Sequence, residues 1–159
     1  MTATSGAETM TGRERYVKAL LGEPVDKVAV GSPTSLATYE QMRVLGIEWP
    51  DAHYNADSIA LLAERSYTES GFDTIAPYFR IIRGAAALGA PIDWGSDPWE
   101  FDKTTGKIVT GPRMPAVKPP NPWVVPDDIT IPSDFLEQRE AKAIIDAVKI
   151  LRGKYPVSY

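Results

Sequence analysis

The sequence contains no cysteine and a single histidine, His53. The first absence removes disulfides, thiolate nucleophiles, iron–sulfur clusters and every cysteine-based zinc site, and the second removes any multi-histidine centre. A conventional transition-metal site cannot be assembled from this chain alone. Positive charge is in short supply too, with 17 Lys and Arg against 21 Asp and Glu, a net charge of −4 and a pI near 5.0. No Lys/Arg-rich run builds a local basic patch, so nucleic acid and anionic membrane surfaces are both disfavoured as partners. No apolar run reaches the ~18 residues that a membrane-spanning helix needs, and residues 1–11 lack the cationic start and apolar core of a secretory signal. These absences predict a cytoplasmic protein with neither a membrane nor a nucleic-acid partner.

What is present is an ordinary globular composition, 43% apolar over 159 residues, enough for one domain or a piece of a larger one. Residues 1–10 are mostly small and polar and read as a frayed tail. Thr11 and Glu14 have capping-box spacing, and Tyr16, Ala19 and Leu20 recur at helical spacing until Gly22 and Pro24. Residues 27–31 (KVAVG) read as a short strand, and residues 34–45 as a helix with Leu36, Tyr39, Met42 and Leu45 on one face. Asn55 is placed to cap a helix in which Ile59, Leu62, Ala63 and Ser66 share a face, ending at Gly71. A second strand is predicted over residues 72–77 (FDTIAP), a helix over 79–88 closed by Gly89, and a short strand over 92–94.

Between Pro91 and Pro132 the character changes, because nine of the 14 prolines lie there and each removes an amide donor that a helix or central strand would use. Within this long loop, residues 100–110 (EFDKTTGKIVT) have the pattern of a hairpin. After it, Ser133 is the expected cap of a helix carrying Leu136, Ala143, Ile144, Ala147, Val148 and Leu151 and stopping at Gly153. Residues 156–159 (PVSY) read as the start of another strand. Strands alternating with helices give an α/β class with a parallel sheet. A complete (β/α)8 barrel takes about 250 residues, so this length accommodates only its first part.

Residues 11–30 (TGRERYVKALLGEPVDKVAV), 49–55 (WPDAHYN), 71–78 (GFDTIAPY) and 86–93 (AALGAPID), in that order and spacing, resemble the N-terminal half of the uroporphyrinogen decarboxylase superfamily. Within it the likeness is greatest to the methylcobamide:coenzyme M methyltransferases. The resemblance implies that residues 11–159 form the N-terminal portion of a TIM (β/α)8 barrel, incomplete at this length, with the Pro-rich loop as an excursion. It also implies methyl transfer from a corrinoid to a zinc-activated thiol, with a corrinoid protein as partner. The zinc ligands of that branch, a His-x-Cys pair and a distant Cys, belong to the C-terminal half, so no metal ligand is assigned here and the chain is expected to be inactive alone.

Two other readings compete. A tetrapyrrole decarboxylase of porphyrin biosynthesis would resemble its relatives in an Arg-rich stretch after the first strand and an Asp after the second. Here residues 31–37 read GSPTSLA, and Arg80 stands where the Asp is expected, a cation that would oppose charge building on a protonated pyrrole. The remaining alternative is a noncatalytic assembly module that pairs with a separate C-terminal half or with a second copy of itself.

Five residues are candidates for substrate contact. Ser32 and Thr34 follow the first predicted strand, and Tyr78 and Arg80 the second, at the strand ends where such barrels hold their active sites. Arg80 has the chemistry to clamp a sulfonate or carboxylate in a bidentate manner. His53 is weighed as a catalytic or ligand-orienting group against a loop imidazole that bonds backbone or faces solvent. Asp26 is read as an Asx-type turn residue, Trp94 and Trp99 as anchors of the Pro-rich loop, and Asp93, Asp97 and Glu100 as a solvated acidic face.

Overall fold

The computed structural model describes residues 8–32, 37–48, 51–77, 82–94, 100–110, 115–120, 123 and 125–155. Five α-helices occur among them: α1 (Gly12–Leu20), α2 (Tyr39–Leu45), α3 (Ala56–Ser70), α4 (Ile82–Ala87) and α5 (Arg139–Lys154). Four short strands, β1 (Ile92–Asp93), β2 (Glu100–Phe101), β3 (Ile108–Thr110) and β4 (Ala116–Val117), form two antiparallel pairs, β1 with β4 and β2 with β3.

Helix α3 begins and ends where its sequence dictates. The Asn55 side chain accepts from the Ser58 amide at 3.0 Å, and Gly71 closes the helix in the left-handed region at φ +65°, a conformation that an L side chain resists. Ile59, Leu62, Ala63 and Ser66 are buried along one stripe, as their spacing predicts. That stripe packs on α5 through Ala143, Ala147 and Leu151, with Met42 of α2 and Ile75 completing the core. Small residues, Ala63 on α3 and Ala143 and Ala147 on α5, belong to this core. Helix α2 starts at Tyr39, capped by a reciprocal box between Thr38 and Gln41, and stops at Gly46; the helix predicted over 34–45 therefore begins later than expected, with residues 37 and 38 outside it.

The Pro-rich stretch is pinned at several points. Its predicted hairpin is present: Glu100 faces Thr110 and Phe101 faces Ile108, and the Asp102 carboxylate accepts the turn amides of Thr104 and Thr105 at 2.7 and 2.8 Å. β1, expected over 92–94, pairs with β4 from the far side of the hairpin.

Three local expectations are corrected. Residues 27–31 and 72–77 belong to no sheet ladder among the described residues, with bends at Lys27 and Asp73; they meet where the Asp73 amide donates to the Val30 carbonyl at 2.6 Å. Parallel strands depend on neighbours at both edges and cover on both faces, and a single pair has neither. The last helix does not begin at Ser133. Residues 135–137 form a 3-10 turn, the Asp134 carboxylate accepts from the Gln138 side chain at 2.9 Å, and α5 starts only at Arg139. Nor does α5 stop at Gly153, because its last turn is held onto α3: Lys154 Nζ and the Tyr155 hydroxyl both donate to Glu64, at 2.7 and 2.8 Å.

The face of α1 is also corrected. Thr11 Oγ1 accepts from the Glu14 amide at 3.2 Å as expected, yet Leu20 and Ala19 are exposed and the residue buried from this helix is Arg15. Its opposite partners, described next, make that burial feasible.

Candidate functional site

Arg15 is 2% exposed. Burying a guanidinium requires opposite charge and hydrogen bonds to replace its hydration. Nε and Nη2 donate to the two oxygens of Asp26 at 2.6 and 3.1 Å, Nη1 donates to Asp73 Oδ1, and Nη2 also reaches the Met10 carbonyl at 2.9 Å. The planar fork of arginine suits this bidentate arrangement, which lysine cannot reproduce. Asp26 further accepts from the backbone amides of Thr9, Met10 and Lys27, at 2.8, 3.0 and 2.9 Å. The hydrogen bond from Arg15, supported by those amides of Met10 and Thr9, holds the Asp26 carboxyl well below the usual carboxylate range, against the opposing effect of desolvation. Asp26 is therefore more than a turn residue, and residues 9 and 10 at the N-terminus are tied to it.

This network holds the backbone that leads to Ser32. Asp73 Oδ2 accepts from the Val30 amide at 2.9 Å while the Asp73 amide donates to the Val30 carbonyl. The two extended segments are thereby held in register two residues before Ser32 and five before Tyr78. Their close approach also needs Gly31: a Cβ built there falls 2.6 Å from both Thr74 Oγ1 and Tyr16 Cε2.

Of the five residues singled out from the sequence, Ser32 and His53 are among the described ones; Thr34, Tyr78 and Arg80 lie outside them. Ser32 is half-buried and lines a small cavity of about 10 Å³ between the extended segments and α3, together with Ala63, Ser66 and Thr74. His53 belongs to a different group of contacts. It lies fully buried in the 3-10 turn Asp51–His53, so the solvent-facing reading of this imidazole is overturned. Its ring is 5.3 Å from that of Trp94, which also meets Tyr54 edge-on at 6.0 Å; the Arg139 guanidinium lies 4.0 Å above Tyr54. Trp94 thus anchors one end of the Pro-rich loop against the helical core. Trp99 and Asp97 lie outside the described residues.

Arg15 and Asp73 were missed as site-building residues. A signal for Asp73 exists: a carboxylate set inside the apolar run Phe72 to Ile75 calls for a cation to neutralise it.

No group of three or more His, Cys, Asp and Glu suited to a metal ion occurs among the described residues, and the sequence supplies no thiolate and one imidazole, buried against tryptophan. These residues do not fit a thiol-activating zinc centre. Among the described residues, no helix is long and apolar enough to cross a membrane.

The motif series finds its counterpart in one family: the chain belongs to the uroporphyrinogen decarboxylase (URO-D) family, which it matches over residues 11–158. Its relatives include the methylated-thiol–coenzyme M methyltransferase of Methanosarcina mazei, 32% identical over 146 residues, or 92% of this chain and 35% of the relative. A methylcobamide:CoM methyltransferase, MtaA, of Methanosarcina barkeri is 34% identical over 146 residues, 91% of this chain and 38% of that protein. The structure of a methyltransferase from Methanosarcina mazei superposes with a TM-score of 0.70 at 31% identity, covering 91% of this chain and 39% of that one. The chain thus corresponds to the N-terminal part of these relatives and spans less than two-fifths of their length.

Proposed function

We propose that this chain is the N-terminal part of a cobamide-dependent thiol methyltransferase, building one wall of the substrate pocket of a TIM barrel. The observation that carries the reading is the 31–34% identity, over about nine-tenths of the chain, to proteins named as coenzyme M methyltransferases. In this reading zinc would be held by residues of the C-terminal part and would supply a thiolate nucleophile for the corrinoid-borne methyl group, the cobalt keeping the electron pair of the broken bond. The chain itself contributes binding and orientation. Ser32 and Thr34 follow the first extended segment and Tyr78 and Arg80 the second, all four as substrate contacts. Arg80 pairs with an anionic tail, sulfonate or carboxylate, through two parallel hydrogen bonds. His53, buried against Trp94, is the ligand-orienting member of the set. A corrinoid protein docks on the assembled barrel.

The reading is tested by methyl transfer from methylcobalamin to coenzyme M, followed by loss of the methyl–cobalt absorbance. The chain alone, with zinc, is expected to give only the background rate. Together with the C-terminal part of the Methanosarcina barkeri relative it is expected to restore turnover, and Arg80→Ala in that complex to raise KM for the thiol. Turnover by the chain alone refutes the reading, as does an assembled complex that transfers no methyl group.

A further inference from the structure

The cavity of about 10 Å³ that Ser32 lines has two further hydroxyl-bearing residues in its wall, Ser66 of α3 and Thr74 of the segment over 72–77. Thr74 is the informative one. Its Oγ1 is shut off from solvent and has no hydrogen-bond partner among the described residues. The same oxygen lies against the Gly31 backbone, within 2.6 Å of where a Cβ on that residue would stand. A buried hydroxyl with no partner is costly, and because it can both donate and accept, a single bridging molecule is enough to satisfy it.

Size and charge select what that molecule is. The volume is about that of one water-sized probe sphere, which leaves no room for an organic group. No charged side chain lines the cavity, so neither a cation nor an anion would find a counter-charge there. Water keeps its place in such a site when several polar groups surround it, and three hydroxyls are present. Ser66 has its role fixed: its hydroxyl donates to Gln41 Oε1 at 3.1 Å, so toward the cavity its oxygen acts as an acceptor. We infer that this cavity is a binding site for one ordered water, which donates to Ser66 Oγ and is hydrogen-bonded to Thr74 Oγ1, with Ser32 as its third polar neighbour. The bridge joins the segment over 72–77 to α3, a connection additional to the Val30–Asp73 registration. It concerns how this part of the chain is held together and does not depend on the proposed function.

The test combines a map and a set of melts, all on the full chain. A high-resolution crystal structure of the parent chain is expected to show a water peak at roughly 3 Å from both Thr74 Oγ1 and Ser66 Oγ. Thr74→Val keeps the shape of the side chain and removes the hydroxyl. With a bridging water, that substitution strips the water of a partner, and Tm should fall by about 2–4 °C. With an unpaired hydroxyl, valine relieves a buried penalty and Tm should rise instead. Ser66→Ala combined with Thr74→Val should lower Tm by clearly less than the sum of the two single shifts, because the same water is lost only once. An unchanged or raised Tm for Thr74→Val overturns the inference, as do additive shifts in the double variant or a parent-chain map with no water at the site. If a variant fails to fold, the parent-chain map decides by itself.

Discussion

Leu62 and Leu61 are neighbours in α3 with opposite environments, and that contrast supports a quantitative test of the core. Leu62 has 0% exposure and belongs to the cluster formed with α5, whereas Leu61 is 41% exposed. Leu62→Ala removes three carbon atoms, which at ~0.8 kcal/mol each sets a lower bound of about 2.4 kcal/mol for lost transfer energy. A cavity term adds to this, because α3 is fixed by its caps at Asn55 and Gly71 and cannot close fully on Ala143 and Ala147; buried Leu→Ala changes reach about 5 kcal/mol. Leu61→Ala should stay within about 0.5 kcal/mol of the parent chain. For a chain of this size a loss of 1 kcal/mol lowers Tm by about 2–4 °C, so the two variants should be clearly separated in melts followed at far-ultraviolet wavelengths. Urea titration of the same variants gives the free energies, provided the slope is unchanged. Equal losses for Leu61→Ala and Leu62→Ala, or a negligible loss for Leu62→Ala, would refute the assignment of the buried face of α3.

Other outcomes follow from individual contacts. Gly31→Ala should destabilise by about 1–3 kcal/mol, because the new Cβ meets Thr74 and the Tyr16 ring at 2.6 Å and one of them has to move; thermal melting reads this directly. Tyr155→Phe should cost about 1 kcal/mol by removing the hydroxyl that donates to Glu64, with fraying of the last turn of α5 visible in amide exchange. The Glu64 carboxyl is held below its ordinary value by Lys154 first and by Tyr155 next. Its contribution to stability is therefore complete above the unfolded-state value and is lost as pH falls below it, and Glu64→Gln should flatten that part of the acid titration. Asp26 obeys the same sign, held down chiefly by the Arg15 hydrogen bond, so Arg15→Met should expose residues 9–10 to proteolysis at neutral pH and remove their acid sensitivity. Equilibrium dialysis of the chain against zinc should leave only background metal, consistent with a donor set of one buried imidazole and no thiolate.

The parts of this structure that could be read from the sequence are those fixed by neighbours a few residues away. Asn55, Gly71 and the spacing of Ile59, Leu62, Ala63 and Ser66 specify α3 with no reference to the rest of the chain. The hairpin over 100–110 depends on its own turn, where Asp102 and Gly106 sit four residues apart. What was not legible is nonlocal. Arg15 looks like one more polar residue on an exposed helix until Asp26 and Asp73, 11 and 58 residues along the chain, are brought to it. Gly153 looks like a helix stop until Glu64, 90 residues earlier, captures the following lysine and tyrosine. Of the candidate site, the sequence supplied Ser32 and its position after an extended segment; it did not reveal that His53 is buried against Trp94, a contact across the core.

The Arg15 network explains how two segments without a sheet still present their ends together. A parallel ladder would register residues 27–31 against 72–77 by a series of evenly spaced amide–carbonyl bonds. Here one backbone bond and the Asp73 carboxylate on the Val30 amide perform that registration, and Arg15 fixes the carboxylate in turn. Electrostatics therefore supplies part of the registration that a ladder would otherwise provide.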